Sequence, residues 1–296
     1  MKRMTVGFAE NLLTDAEAER FERDGYLIVE GALSEPRRAA LDAFVSNLES
    51  VYYAGRPARR FGSRSRFPHG VRPVPLGASV EFHDVVRAPQ VMDLVDDEML
   101  LPKVAGVLGW NIYTYLASAV ASPPTDAGAD VARRVADGWH QDSSRVNDDL
   151  DDDPRPRLSV KVAWFLTDVT EPGRANMWII PGSHRCNDRP ADAATAGIPL
   201  CVPAGSAVLF DRRLWHSASP NVSDITRRVV FVGYTYRWLR PHDDMNVTSL
   251  LRTASPLRRQ LLGHAPDATS NYSPDDEDVP LRALMAGGRT PAPAAG

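Results

Sequence analysis

Residues 158–166 read LSVKVAWFL, and this stretch sets the fold class. It is short, apolar and rich in β-branched and aromatic residues, which suits a strand better than a helix. Strand alternation puts Ser159, Lys161 and Ala163 on one face and Val160, Val162 and Trp164 on the other. A lysine in so apolar a strand needs a counter-charge, unless the strand runs along an edge in solvent.

Working outward, similar strands are predicted at Ile112–Val120, Met177–Ile180, Ala207–Phe210 and Val229–Tyr236, separated by turn residues such as Pro172-Gly173, Pro181-Gly182 and Pro203–Gly205. The chain before Trp110 reads differently. Thr14 with Glu17 three residues on is a capping-box pattern for a helix running to about Arg23 and stopping near Gly25. Tyr26–Val29 reads as a short buried strand. A second helix starts after Ser34, with Pro36 early in it, and runs to about Tyr53 with Leu41, Phe44, Val45 and Leu48 on one face. Short helices are expected at Ala88–Asp96 and Pro102–Leu108. Residues 56–75 are rich in Arg, Pro and Gly without a period and read as a long loop. Helices first and many short strands later predict a mainly β architecture, a sandwich or barrel with helices packed outside. Residues 1–285 read as one domain, and 286–296 as a disordered tail.

The net charge of −4 disfavours general nucleic-acid binding, which needs phosphate neutralisation. The two cysteines, Cys186 and Cys201, are too few and too far apart for a thiolate zinc site. No secretory signal and no membrane-spanning stretch is read, so the cytoplasm is the expected location.

The chemistry concentrates in residues 138–145, GWHQDSSR. On an extended segment His140 and Asp142 point to the same side while Gln141 points away. Iron(II) oxygenases hold the metal with two histidines and one carboxylate on one face and leave the other face open. Two residues are candidates for the second histidine, His184 in IPGSHR and His216 in DRRLWHSASP. His216 is preferred, because it follows an apolar run and has Arg227 eleven residues downstream. That spacing predicts a hairpin returning beside His216, with Arg227 deep in the pocket, where a guanidinium can hold a carboxylate bidentately. Arg228 has the opposite parity and should point elsewhere.

Taken together, the segments DGYLIVEGAL, WHQDSSR, RPRLSVKVAWFLTDV, IIPGSH and LWH…TRRVVFVGYTYRW, running from about Asp24 to Trp238, resemble the phytanoyl-CoA dioxygenase family of Fe(II)/2-oxoglutarate-dependent oxygenases. The resemblance implies a double-stranded β-helix (a cupin-like jelly roll) with N-terminal helices. It implies iron held by His140, Asp142 and His216, with 2-oxoglutarate and dioxygen as cosubstrates, and places Arg227 on the distal carboxylate of 2-oxoglutarate. Many members carry Ser or Thr two residues after the distal histidine. Here that position is Ala218, flanked by Ser217 and Ser219. A carboxylate at Asp142, where related halogenases have a small residue, argues for hydroxylation or another oxidative step.

Other residues carry two readings each. Lys161 is either a contact to the 2-oxo acid or substrate, or a solvent lysine on an edge. Asn176 either points at the 2-oxo acid or caps the turn after Pro172-Gly173. Tyr113 and Tyr115 share a face as pocket hydrogen bonders or as packing, and His184 is structural or near the pocket mouth. The basic loop with Arg56, Arg59, Arg60, Arg64, Arg66 and Arg72 is a lid meeting an anionic substrate or a solvated surface. The expected partner is a small molecule, polar or carboxylated, acting on a monomer or homodimer. The competing readings are a jelly-roll metal-binding protein and a cupin-like metalloenzyme that does not use 2-oxoglutarate, for which Arg227 would have no purpose.

Overall fold

The computed structural model describes residues 7–54, 67–126, 130–150 and 152–286. Helix α1, Asp15–Asp24, begins at Thr14, whose hydroxyl accepts from the Glu17 N–H while Glu17 reaches back to the Thr14 N–H. It ends at Gly25, which has a left-handed φ of 83°. Strand β1, Tyr26–Val29, follows. Helix α2, Glu35–Ala54, buries the predicted face of Leu41, Phe44, Val45 and Leu48, each contributing roughly 1.5–3 kcal/mol. Helices α3, Pro89–Val95, and α4, Leu101–Leu108, are close to their expected limits.

The remaining strands are β2, Arg72–Leu76, β3, Ser79–His83, β4, Ile112–Ser122, β5, Ser159–Phe165, β6, Met177–Ile179, β7, Ile198–Pro199, β8, Ala207–Asp211, β9, His216–Ala218, and β10, Arg227–Tyr236. They form a seven-stranded antiparallel sheet in the order β1-β8-β5-β10-β4-β3-β2 and a three-stranded sheet, β7-β6-β9. The large sheet packs its outer face, with Val160, Val162, Trp164, Val230 and Val232, against α2, α3 and α4. Its inner face, with Ala163, Phe165, Phe210 and Val229, meets Met177 and Ile179 of the small sheet. Two sheets over one interior with flanking helices are the jelly-roll architecture expected. Tyr234 ties the helical layer to the sheet, its hydroxyl donating to the end of α3 at Val95 O, 3.0 Å away.

Three expectations need correction. Strand β2 overlaps the end of the stretch read as loop. Pro73 and Pro75 hide it, because a proline-bearing strand is tolerated only at an edge, which β2 is. Lys161 is not on an edge, since β5 lies between β8 and β10. His216 and Arg227 do not sit on one hairpin: β9 pairs with β6 and β10 with β4 and β5, so they belong to two different sheets. A lid formed by Arg56, Arg59, Arg60, Arg64 and Arg66 falls outside the described residues. The final helix, Pro280–Ala286, takes in the first residue expected in the tail, and 287–296 lie outside the described residues. Among the described residues no helix is long and apolar enough to cross a membrane.

Candidate metal centre

The segment carrying His140 and Asp142 runs extended beside β9. His140 N–H donates to His216 O at 2.9 Å and His216 N–H to His140 O at 3.0 Å. The segment is anchored again two residues on, where Asp142 N–H donates to Arg212 O at 3.0 Å. Gln141 points away from both, its amide donating to Arg213 O at 2.6 Å and Cys186 O at 3.1 Å. The period of two therefore aims His140 and Asp142 to one side, and β9 brings His216 to meet them. Their ligand atoms lie within 4.8 Å of one another, and His216 Nε2 is 4.0 Å from Asp142 Oδ1.

Both imidazoles are held in the same way. His140 Nδ1 is 2.8 Å from Gly138 O, and His216 Nδ1 is 2.8 Å from Leu214 O. A carbonyl can only accept, so each Nδ1 carries a hydrogen, which leaves Nε2 as the ring nitrogen able to offer a lone pair to the shared space. Burial pushes the His216 pKa down to about 4 and keeps that ring neutral. Burial opposes ionisation of Asp142, but its neighbours, foremost the Lys161 ammonium 2.9 Å away, together outweigh it and hold the carboxyl at about 2. Neutral imidazole and ionised carboxylate are the forms in which these groups ligate a cation. Lys161 has thus found its counter-charge in Asp142, and its own pKa rises against the effect of burial.

Arg227 begins β10 and is 6% exposed. Its guanidinium lies 5.5 Å over the Phe165 ring and has no hydrogen bond or ion pair among the described residues, and burial lowers its pKa to about 10. Phe165 belongs to the same apolar cluster as Phe210, whose ring is 5.6 Å from that of His216. An unpaired buried guanidinium is costly, and a carboxylate ligand would relieve it. Arg228 has the opposite orientation and pairs with Glu49 at 3.0 Å and Asp42 at 3.3 Å on α2.

The other candidates separate. Asn176 is fully buried, donates to Val169 O and Leu200 O, and accepts from Arg174 N–H. Every polar atom of its amide is used by local backbone, which is the turn-capping reading; a contact to the 2-oxo acid has no free atom left to make it. Ser217 is turned towards Gly138, and Ala218 is exposed. Ser219 Oγ is buried without a partner among the described residues. His184 is buried at the α1–β1 junction, 3.2 Å from Glu22 O, a structural position. Tyr113 donates to Leu239 O at 2.8 Å, while the Tyr115 hydroxyl is 3.4 Å from Ser159 Oγ. The absence of a side chain at Gly233, beside a bulge in the β4–β10 ladder, leaves room for the Tyr115 ring, since a Cβ there would meet it at 2.6 Å.

Sequence reading missed a second polar group. Asp243 is buried and lies 3.2 Å from His83 Nδ1 and 3.1 Å from His242 Nδ1, while also accepting from the Ala117 and Asp84 N–H groups. No spacing signal marks it, because it depends on the unread β2–β3 pair.

A family model described as phytanoyl-CoA dioxygenase (PhyH) matches residues 21–229. The chain is 33% identical over 146 residues to the dioxygenase af480 of Aspergillus fumigatus, covering 45% of each chain, so the match spans about half that relative's length. Its fold is similar to that of EctD from S. alaskensis, solved with 2-oxoglutarate and 5-hydroxyectoine (TM-score 0.56, 19% identity, 77% of this chain and 78% of that one). It is also similar to the non-haem α-ketoglutarate-dependent epimerase SnoN (TM-score 0.55, 19% identity, 81% and 87%).

Proposed function

The chain belongs to the phytanoyl-CoA dioxygenase family, and from that premise we propose that it is an iron(II)- and 2-oxoglutarate-dependent dioxygenase hydroxylating an unactivated carbon of a small polar or carboxylated metabolite. The observation that carries this reading is the convergence of His140, Asp142 and His216 with both Nδ1 atoms tied to backbone carbonyls. Two imidazoles and a carboxylate on one face suit iron(II) with open positions opposite.

In this reading the three residues hold iron, and Arg227 holds the distal carboxylate of 2-oxoglutarate. Lys161 keeps Asp142 ionised and fixed, and Phe165 and Phe210 keep water from the interior. Bound iron supplies the activation of dioxygen that turns 2-oxoglutarate into succinate and carbon dioxide and leaves one oxygen atom for the substrate. Asp142 fills the place a halide would need, which supports hydroxylation over halogenation.

The test is succinate formation from 2-oxoglutarate by the purified protein with iron(II) in air. The expected result is succinate release that needs iron and is lost in His140→Ala and Asp142→Ala. Near-normal release by either variant would count against the triad.

A further inference from the structure

A cavity of about 340 Å³ lies next to the segment that carries Asp142, and its described lining includes Arg145, Arg212, Arg240 and His242 but no carboxylate. Its position relative to the triad follows from the chain. Ser143, on its wall, follows Asp142. Arg212 accepts the Asp142 N–H through its carbonyl, and its Nη1 lies 3.4 Å from Asp142 O. Tyr115, also on the wall, feels the charges of both Lys161 and Asp142. A volume of this size is within the range of small-molecule sites, roughly 300–1,000 Å³.

Two of the four basic groups are already engaged, Arg145 with Asp149 at 2.7 Å and His242 with Asp243 at 3.1 Å. The other two have no acid partner. Arg212 is 1% exposed; its Nη1 donates to Asn147 Oδ1 at 2.7 Å and its Nη2 to Pro156 O at 3.5 Å, but its Nε is buried without a partner among the described residues. No ion pair reaches it among the described residues, because neighbouring Asp211 is taken by Arg157 and Arg213. Arg240 is exposed at the rim and likewise has no ion pair among the described residues. Hydroxyls of Tyr115 and Ser159 and the apolar side chains of Leu158 and Leu239 complete the walls.

We propose that this cavity takes a carboxylate at the far end of the substrate, bound by Arg240 and Arg212, so that the carbon chain runs past Tyr115 towards the triad. The proposal rests on the oxygenase reading and adds to it the substrate class and the residues that select it. A buried guanidinium short of an anion and a second at the rim, with no acid in the described lining, form a site of one sign that attracts and orients a carboxylate. It is separate from the site assigned to the cosubstrate. Arg227 begins β10, and Thr235, on the cavity wall, comes eight residues later, roughly 26 Å along an extended strand. The two acids therefore need not compete.

The test is calorimetric and needs no turnover. Straight-chain carboxylates from butanoate to octanoate, each beside its primary amide, are titrated anaerobically into full-length protein saturated with iron(II) and 2-oxoglutarate. The 2-oxoglutarate isotherm is recorded first, and its absence would count against the oxygenase reading before any acid is added. With it present, at least one acid should bind about tenfold more tightly than its amide. Arg240→Gln should remove that preference, Arg240→Lys should keep part of it, and both should leave the 2-oxoglutarate isotherm unchanged. Acids and amides binding alike, no acid binding below about 10 mM, or undiminished preference in Arg240→Gln would each overturn the proposal.

Discussion

His140 and His216 hold each other through their main chains, each N–H donating to the other's carbonyl at 2.9 and 3.0 Å. Two residues far apart in sequence are thereby fixed in register before any metal arrives, with ring centroids 4.2 Å apart. Preorganisation of this kind lowers the ordering cost of binding a cation.

That register depends on Gly138, whose carbonyl orients His140. A Cβ at Gly138 would stand 2.5 Å from Ser217 Oγ and 3.0 Å from Arg134 O. Gly138→Ala should therefore displace the His140 segment, cost about 1–3 kcal/mol of stability and weaken iron binding. Removing the nearer obstacle in Gly138→Ala/Ser217→Ala should recover part of both. Metal titration followed by thermal unfolding checks this, and a fully stable single variant with unchanged iron affinity would refute it.

Arg227 makes an opposite pair of predictions for stability and binding. Its guanidinium is buried without a partner among the described residues, so Arg227→Met should leave the ligand-free protein equally stable or up to about 2 kcal/mol more stable. The same change should raise the 2-oxoglutarate requirement strongly while leaving iron affinity near wild type. Thermal unfolding with and without 2-oxoglutarate reads both effects. A wild-type-sized 2-oxoglutarate stabilisation in the variant would place the clamp elsewhere.

Much of this site was legible in the chain because it rests on local periodicity. The period of two set His140 and Asp142 on one side of Gln141, put Arg227 and Arg228 on opposite faces, and grouped Lys161 with Ala163 on one face of their strand. The capping box at Thr14 and the apolar stripe of α2 were equally local. What escaped reading depends on pairing across space. Strand β2 carries two prolines that suppress every strand signal, and with it went the placement of Glu81 and His83. The hairpin inferred between His216 and Arg227 failed because spacing gives separation along the chain but not the sheet each strand joins. Arg212 sits in the run Asp211-Arg212-Arg213, where only packing decides which guanidinium meets the acid.

His83 supplies a pH dependence independent of the metal. Burial pushes its pKa down, but hydrogen bonds to Asp243 and Glu81 outweigh this and raise it to about 9. His242 stacks on it at 5.4 Å and shares Asp243. The unfolded chain releases this proton near pH 6.5, so the stabilisation is complete below about 6.5 and is lost as pH rises to about 9. Thermal unfolding of the metal-free protein should show a decline across that window on the order of 2 kcal/mol. His83→Gln should be less stable at pH 6 and should flatten the decline; an unaltered slope in the variant would assign it to other groups.

Lys161→Met tests how Asp142 is held. Without the ammonium at 2.9 Å, the carboxylate loses the charge that offsets its burial. The metal-free variant should be destabilised by about 3–5 kcal/mol, and iron(II) should stabilise it by more than it stabilises wild type, since the cation then replaces the missing charge. Equal metal-induced shifts in Tm for the two proteins would contradict this.

The central claim is that His140, Asp142 and His216 share one ferrous ion in a space that also admits the 2-oxo acid. It is tested most directly by anaerobic titration with iron(II) and then 2-oxoglutarate, followed by visible absorption. A weak charge-transfer band should appear only when both are present, and should be missing from His140→Ala, Asp142→Ala and His216→Ala. Folded wild-type protein that gives no band, or a triad variant that keeps it, would contradict the account.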